Sequence, residues 1–164
     1  MSDRTFQEKS GFPKLFVILL IFQSIVASFI LFKDNESPFI VLYIAAPLIV
    51  LFTFSFLKLN LNQSYFEYSF FPFTFKTTKI KWNEIQEIQI VKTDPIFDFG
   101  GWGVRLSRKY GKAFITGNNE IIFLKLKNGK KRAFSINNKT DLLEFLDKNN
   151  LPYQKVKTIN SLPS

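Results

Sequence analysis

The sequence predicts a membrane-anchored α+β protein. A two-helix transmembrane hairpin leads into an antiparallel β-barrel or sandwich of about seven strands, capped by a C-terminal helix. Three observations carry this. Two long uncharged apolar runs lie within the first 57 residues. From residue 58 the pattern alternates apolar and polar positions, with turn residues between the runs. One stretch of helical periodicity follows near the C-terminus.

The composition fits two unlike parts. The chain has 164 residues, 46% of them hydrophobic and 17% aromatic, with a formal charge of +9. Its mean hydropathy of +0.06 is high for so basic a soluble protein and low for a membrane bundle. This apolar content excludes a disordered chain. With 0 Cys and 0 His, there is no disulfide framework and no thiolate, and the commonest general base and metal ligand are missing. Zinc sites and Ser-His or Cys-His nucleophiles are excluded. We therefore expect a non-enzyme with no cofactor and no metal.

Residues 1–14 read as a cytoplasmic N-terminal segment and 15–57 as the hairpin, with spans at 15–32 and 39–57. These runs of 18 and 19 residues hold no charge, and at about 1.5 Å per residue each approaches the hydrocarbon thickness. Both are apolar all round, whereas a soluble helix shows a stripe. The alternative is a hairpin buried in a soluble protein, which a chain this short cannot cover. A cleaved signal peptide is set aside, because the first run is too long and no small-residue cleavage site follows. Ser37 and Pro38 suit an N-cap and first helical position, and Pro47 should kink the second helix. On the first span, Gln23, Ser24, Ala27 and Ser28 form a small polar patch facing Ala45 and Ala46 of the second. Arg4, Lys9, Lys14 and Lys58 flank the spans, against Lys33 alone in the hairpin loop. The positive-inside rule then puts both termini in the cytoplasm, as a multi-pass protein of the cytoplasmic (inner) membrane.

The β-domain is read as 58–150. Its strand candidates are 58–62, 65–71, 75–81, 85–92, 103–107, 112–116, 120–127 and 131–136. Asn128-Gly129 is the strongest hairpin signal among the separators. Asn138 caps a helix whose apolar face is Leu142, Leu143, Phe145 and Leu146, and Asn149 to Pro152 stop it. Residues 151–164 read as a frayed polar tail.

Trp82-Asn83-Glu84-Ile85, the run from Asp94 through Gly100-Gly101-Trp102-Gly103-Val104-Arg105, and Ala113 to Gly117 resemble the bacterial pleckstrin-homology-like domain family. The likeness is to its subgroup with an N-terminal transmembrane hairpin. It implies a PH-like fold of seven strongly bent strands closed by the C-terminal helix, serving as a scaffold for protein or membrane contacts. The sequence departs from phosphoinositide-binding relatives in one respect: from 58 to 75 only Lys58 is basic, which speaks against inositol-phosphate recognition.

Two sites are singled out. Gly100, Gly101 and Gly103 free the backbone beside Trp102, an amphipathic ring, and Arg105, a fork of donors. The segment reads either as a partner or headgroup contact, or as a bulge with Trp102 covering the core. The second site is basic: Arg108, Lys109 and Lys112, with Lys125, Lys127, Lys130, Lys131 and Arg132. From Lys58 onward there are 18 basic and 9 acidic residues, against 4 of each before it. That face either lies on an anionic leaflet or is a solvated surface. Tyr65, Phe66, Tyr68, Phe70, Phe71 and Phe73 would be base-stacking candidates, but most should fill the core, and a membrane tether argues against nucleic acid. Asp94 and Asp98 could hold Mg²⁺ or Ca²⁺ as a pair, although Asp94 opening a turn and Asp98 bonding loop amides is the simpler account. The expected role is a non-catalytic module that binds a protein partner or self-assembles at the membrane surface. The alternative is an anionic-lipid sensor acting through the basic face.

Overall fold

The computed structural model describes residues 5–34, 37 and 39–156. Two compact units divide the chain, 11–55 and a β-domain made of 1–10 with 56–164.

The first unit is a helical hairpin. Helix α1 (Lys14–Lys33) has 20 residues and buries none of them. It is long and apolar enough to cross a membrane. Helix α2 (Phe39–Phe54) has 16 residues; it is apolar and shorter than α1. Of the expected second span, 39–57, helix α2 covers 39–54, and the last residues of the run belong to the following strand. Its uncharged run covers two elements, since the backbone turns from helix to strand at Ser55. Pro47 lies inside α2, while Pro38 falls outside the described residues. Phe12 and Phe16 pack edge-on against Phe52 at 4.9 and 5.1 Å between ring centroids, bringing the start of α1 to the end of α2. The hydroxyls of Ser24, Thr53 and Ser55 donate to carbonyls four residues back in their own helices. Gln23 is exposed, so the outward face of α1 includes the polar residue expected at the helix contact.

The second unit starts earlier than the sequence indicates. Strand β1 (Phe6–Gly11) precedes the hairpin, and β2 (Phe56–Leu61) follows it. The two are neighbours in a sheet of order β1-β2-β3-β4, completed by β3 (Tyr65–Phe71) and β4 (Thr74–Lys81). The β-domain thus incorporates part of what reads as a free cytoplasmic segment. Phe6 and Ser10 are buried. The Thr116 hydroxyl donates to that of Ser10 at 3.0 Å. The Glu8 carboxylate accepts from the Asn137 and Asn138 N–H groups at 2.7 and 3.0 Å.

The other sheet contains β5 (Ile85–Lys92), β6 (Gly103–Ser107), β7 (Gly111–Ile115), β8 (Glu120–Leu126), β9 (Lys131–Ser135) and β10 (Gln154–Val156). Its order is β10-β5-β8-β9-β7-β6. Two pairings depart from the antiparallel expectation: β7 runs parallel to β9, and β10 parallel to β5. Strand β10 also corrects the frayed tail, whose residues 157–164 lie outside the described chain. Helix α4 (Lys139–Lys148) buries Leu142, Phe145 and Leu146, and Asn138 caps it by accepting from the Asp141 N–H.

Aromatic alternation builds the core between the sheets. Phe66, Tyr68 and Phe70 point inward from β3 and meet Phe114 of β7 and Phe134 of β9. The Phe114 and Phe134 rings lie 5.2 Å apart and almost parallel. These rings are therefore core and not a base-stacking surface. The run Ile121 to Leu124 in β8 is buried on both faces, as its unbroken apolarity implies.

Candidate functional site

The segment between β5 and β6 forms the candidate site. Asp94 caps a one-turn helix, α3 (Pro95–Phe99), its Oδ1 accepting from the Ile96 and Phe97 N–H groups at 2.8 and 3.1 Å. Asp98 Oδ2 accepts from the Asp94 N–H at 2.7 Å. Both carboxylates thus bond loop amides, the simpler of the two accounts above. No group of three or more His, Cys, Asp or Glu capable of holding a metal occurs among the described residues. Gly100 ends the helix in the left-handed region at φ 70°.

What this segment does structurally is cover the second face of the β5–β10 sheet. Phe99 and Tyr110 join Val91, Ala113, Ile115, Ile121, Phe123 and Ala133 in one apolar cluster, with Trp102 packed against it. Trp102 is therefore half-buried cover. A Cβ on Gly101 would sit 3.3 Å from Arg105 Nη2, so the guanidinium lies over the loop. Of the five residues singled out there, Gly103 is buried, Gly101 and Trp102 half-buried, Gly100 and Arg105 exposed.

The same segment presents side chains that sequence reasoning missed. Phe97 is 91% exposed and Ile96 57% exposed on α3, and Leu106 is 86% exposed on β6, an edge strand. A helix turn locked by Asp94, Asp98 and Gly100 thus carries Ile96 and Phe97 outward while Pro95 and Phe99 are buried. Alternation in a strand marks Leu106 as core, and only its place at the sheet edge makes it surface.

The register gathers the basic residues. Lys112 faces Arg132, and Lys125 faces Lys131; Arg108 and Lys109 lie in the β6–β7 turn, and Lys130 in the β8–β9 turn. This is the opposite end of the strands from the hairpin junction. Ser10, just before the hairpin, contacts Thr116 beyond the end of β7, and Thr116 lies four residues along the chain from Lys112, about 13 Å. The Lys139–Glu120 and Lys148–Glu144 ion pairs lie elsewhere.

Beneath the site, burial and then the charge of Asp98 push the Tyr110 phenol up to about 12. Its hydroxyl has no hydrogen-bond partner among the described residues. The unfolded phenol loses its proton near pH 10 while the folded one keeps it. This contribution to stability is therefore complete below about pH 10 and declines by up to about 3 kcal/mol as pH rises to about 12. Tyr110→Phe should be neutral or slightly stabilising at pH 7. Urea melts at pH 10 to 12 should then show a shallower decline for Tyr110→Phe than for the wild type; equal declines would discount Tyr110.

Neither the protein-family models nor the curated proteins offer a match to the chain.

Proposed function

We propose that the chain is a non-catalytic, membrane-anchored interaction module that binds a protein partner through the α3–β6 surface. The observation that carries this is the exposure of Phe97 and Leu106 on a segment that capping and packing hold fixed. Large apolar side chains held outward mark interaction surfaces. The apolar α1 supports the anchor. So does the adjacency of β1 and β2, since a hairpin whose two flanks share a sheet must return to the side it left. The basic flanks Arg4, Lys9, Lys14 and Lys58 favour the cytoplasm for that side. The PH-like resemblance implies seven bent strands closed by a C-terminal helix; the ten strands in two sheets with a C-terminal helix agree with it only in outline, and that family assignment is part of the proposal.

Phe97→Asp combined with Leu106→Asp tests it by crosslinking in intact cells. Both side chains are exposed, so the melting temperature should hold while the wild-type crosslinked partners disappear. Retention of every partner would sink the reading. The register that clusters Lys112, Lys131 and Arg132 favours a second reading, the anionic-surface sensor. If Lys130→Glu with Arg132→Glu removes the native interactions and the Asp pair does not, that second reading wins.

A further inference from the structure

We infer that the β3–β4 turn, Phe71-Pro72-Phe73, is a second membrane contact: an aromatic wedge that rests in the bilayer interface. It rests on the membrane-anchored reading and extends it from the helices to the β-domain.

The turn belongs to an uncharged stretch, 68–75, bounded by Glu67 and Lys76. The inward aromatics of β3 are at most 6% exposed, whereas Phe71 and Phe73 are 40% and 47% exposed. Both rings are held in place. Phe71 stacks on Phe56 at 5.6 Å, and Phe73 on Phe70 at 5.3 Å. The register pairs Phe71 with Phe56, which is two residues beyond the last residue of α2. The turn therefore lies at the end of the sheet where the chain joins the apolar helices. Lys9 adds its ammonium 3.9 Å from the Phe56 ring centroid. Apolar rings edged by a lysine on a long stem match the boundary between headgroups and acyl chains. Lipid is the occupant this position favours, because an α2 held in a bilayer ends only two residues before Phe56, the strand partner of Phe71.

The chain has 0 Cys, so single cysteines can be labelled in the full protein. Phe73→Cys, Asn128→Cys and Ile25→Cys, each carrying an environment-sensitive fluorophore, are reconstituted in vesicles of neutral and anionic phospholipid. Nitroxide-bearing lipids then quench at shallow or deep positions. The Phe73 label is expected to lose fluorescence to shallow nitroxides, and the Asn128 label, at the far end of the domain, to keep it. Ile25, within α1, should lose fluorescence to deep nitroxides. Phe71→Cys repeats the measurement should Phe73→Cys fail to fold. If Ile25 is quenched while labels at 71 and 73 are not, the wedge is wrong and the anchor stands. A label at 73 that is shielded from water yet unquenched marks a protein contact and also overturns the wedge. If Ile25 is unquenched, both readings fall.

Discussion

A chain beginning at Phe56 should not fold, whereas one in which a two-residue Asn-Gly turn joins Gly11 to Phe56 should fold. The reason lies in β1, the strand made before the hairpin. It buries Phe6 and Ser10 and covers the edge of β2. Glu8 satisfies two N–H groups ahead of α4. Burial of one Phe contributes about 2 kcal/mol, and each hydrogen bond to a charged group about 1.5–3 kcal/mol. Against a total stability of about 5–15 kcal/mol, losing all of this and exposing a sheet edge is enough to unfold the domain. The shortened connection is feasible because a Cβ on Gly11 would sit 3.6 Å from the Ser55 carbonyl oxygen. Thermal melts by circular dichroism and gel filtration of the two proteins decide the matter. A cooperative, equally stable transition in the chain starting at Phe56 would show that β1 is dispensable. Glu8→Ala in the full chain should cost about 2 kcal/mol on the same grounds.

Gly111→Ala should be strongly destabilising. A Cβ there would lie 2.4 Å from the Lys131 carbonyl oxygen and 2.6 Å from the Lys131 Cβ, and φ is +68°. The obstruction is the neighbouring parallel strand, so it cannot yield without spreading β7 from β9. We expect a loss of about 3–5 kcal/mol and a melting temperature lower by about 12 °C or more. Gly129→Ala is the control. Its φ of +78° is equally left-handed, but nothing lies within 4 Å, so only about 1–2 kcal/mol of backbone cost applies. Equal losses at the two positions would mean that strand proximity is not what requires glycine at 111.

Elements whose determinants are local were legible from sequence. Alternation and turn residues located β2 to β9 to within two residues at each end, and Asn138 marked the start of α4. What escaped depends on distant partners. The segment FQEKSG of β1 has little apolar pattern, and its hydrogen-bonding partners lie over a hundred residues away. The three residues of β10 are strand only because β5 offers an edge. The end of α2 was hidden because apolarity cannot separate a helix in lipid from a buried strand: Leu57 is fully buried, yet it continues the apolar run. At the candidate site, the glycines and Trp102 were conspicuous in the sequence, and Trp102 packs against the apolar cluster. Nothing in the local sequence of Phe97 and Leu106 shows that the fold leaves them outside.

The split of the β-domain around the hairpin imposes an order on synthesis. Strand β1 leaves the ribosome first, and its partners Thr116 and Asn137 emerge more than a hundred residues later. Everything between must be disposed of before the sheet can close. In a membrane, a chain whose second helix failed to come back would strand β1 on the far side of the bilayer from β2. Its domain would stay incomplete, an easy target for proteolysis. Completion of the sheet would then double as proof of correct insertion, with no separate checkpoint needed.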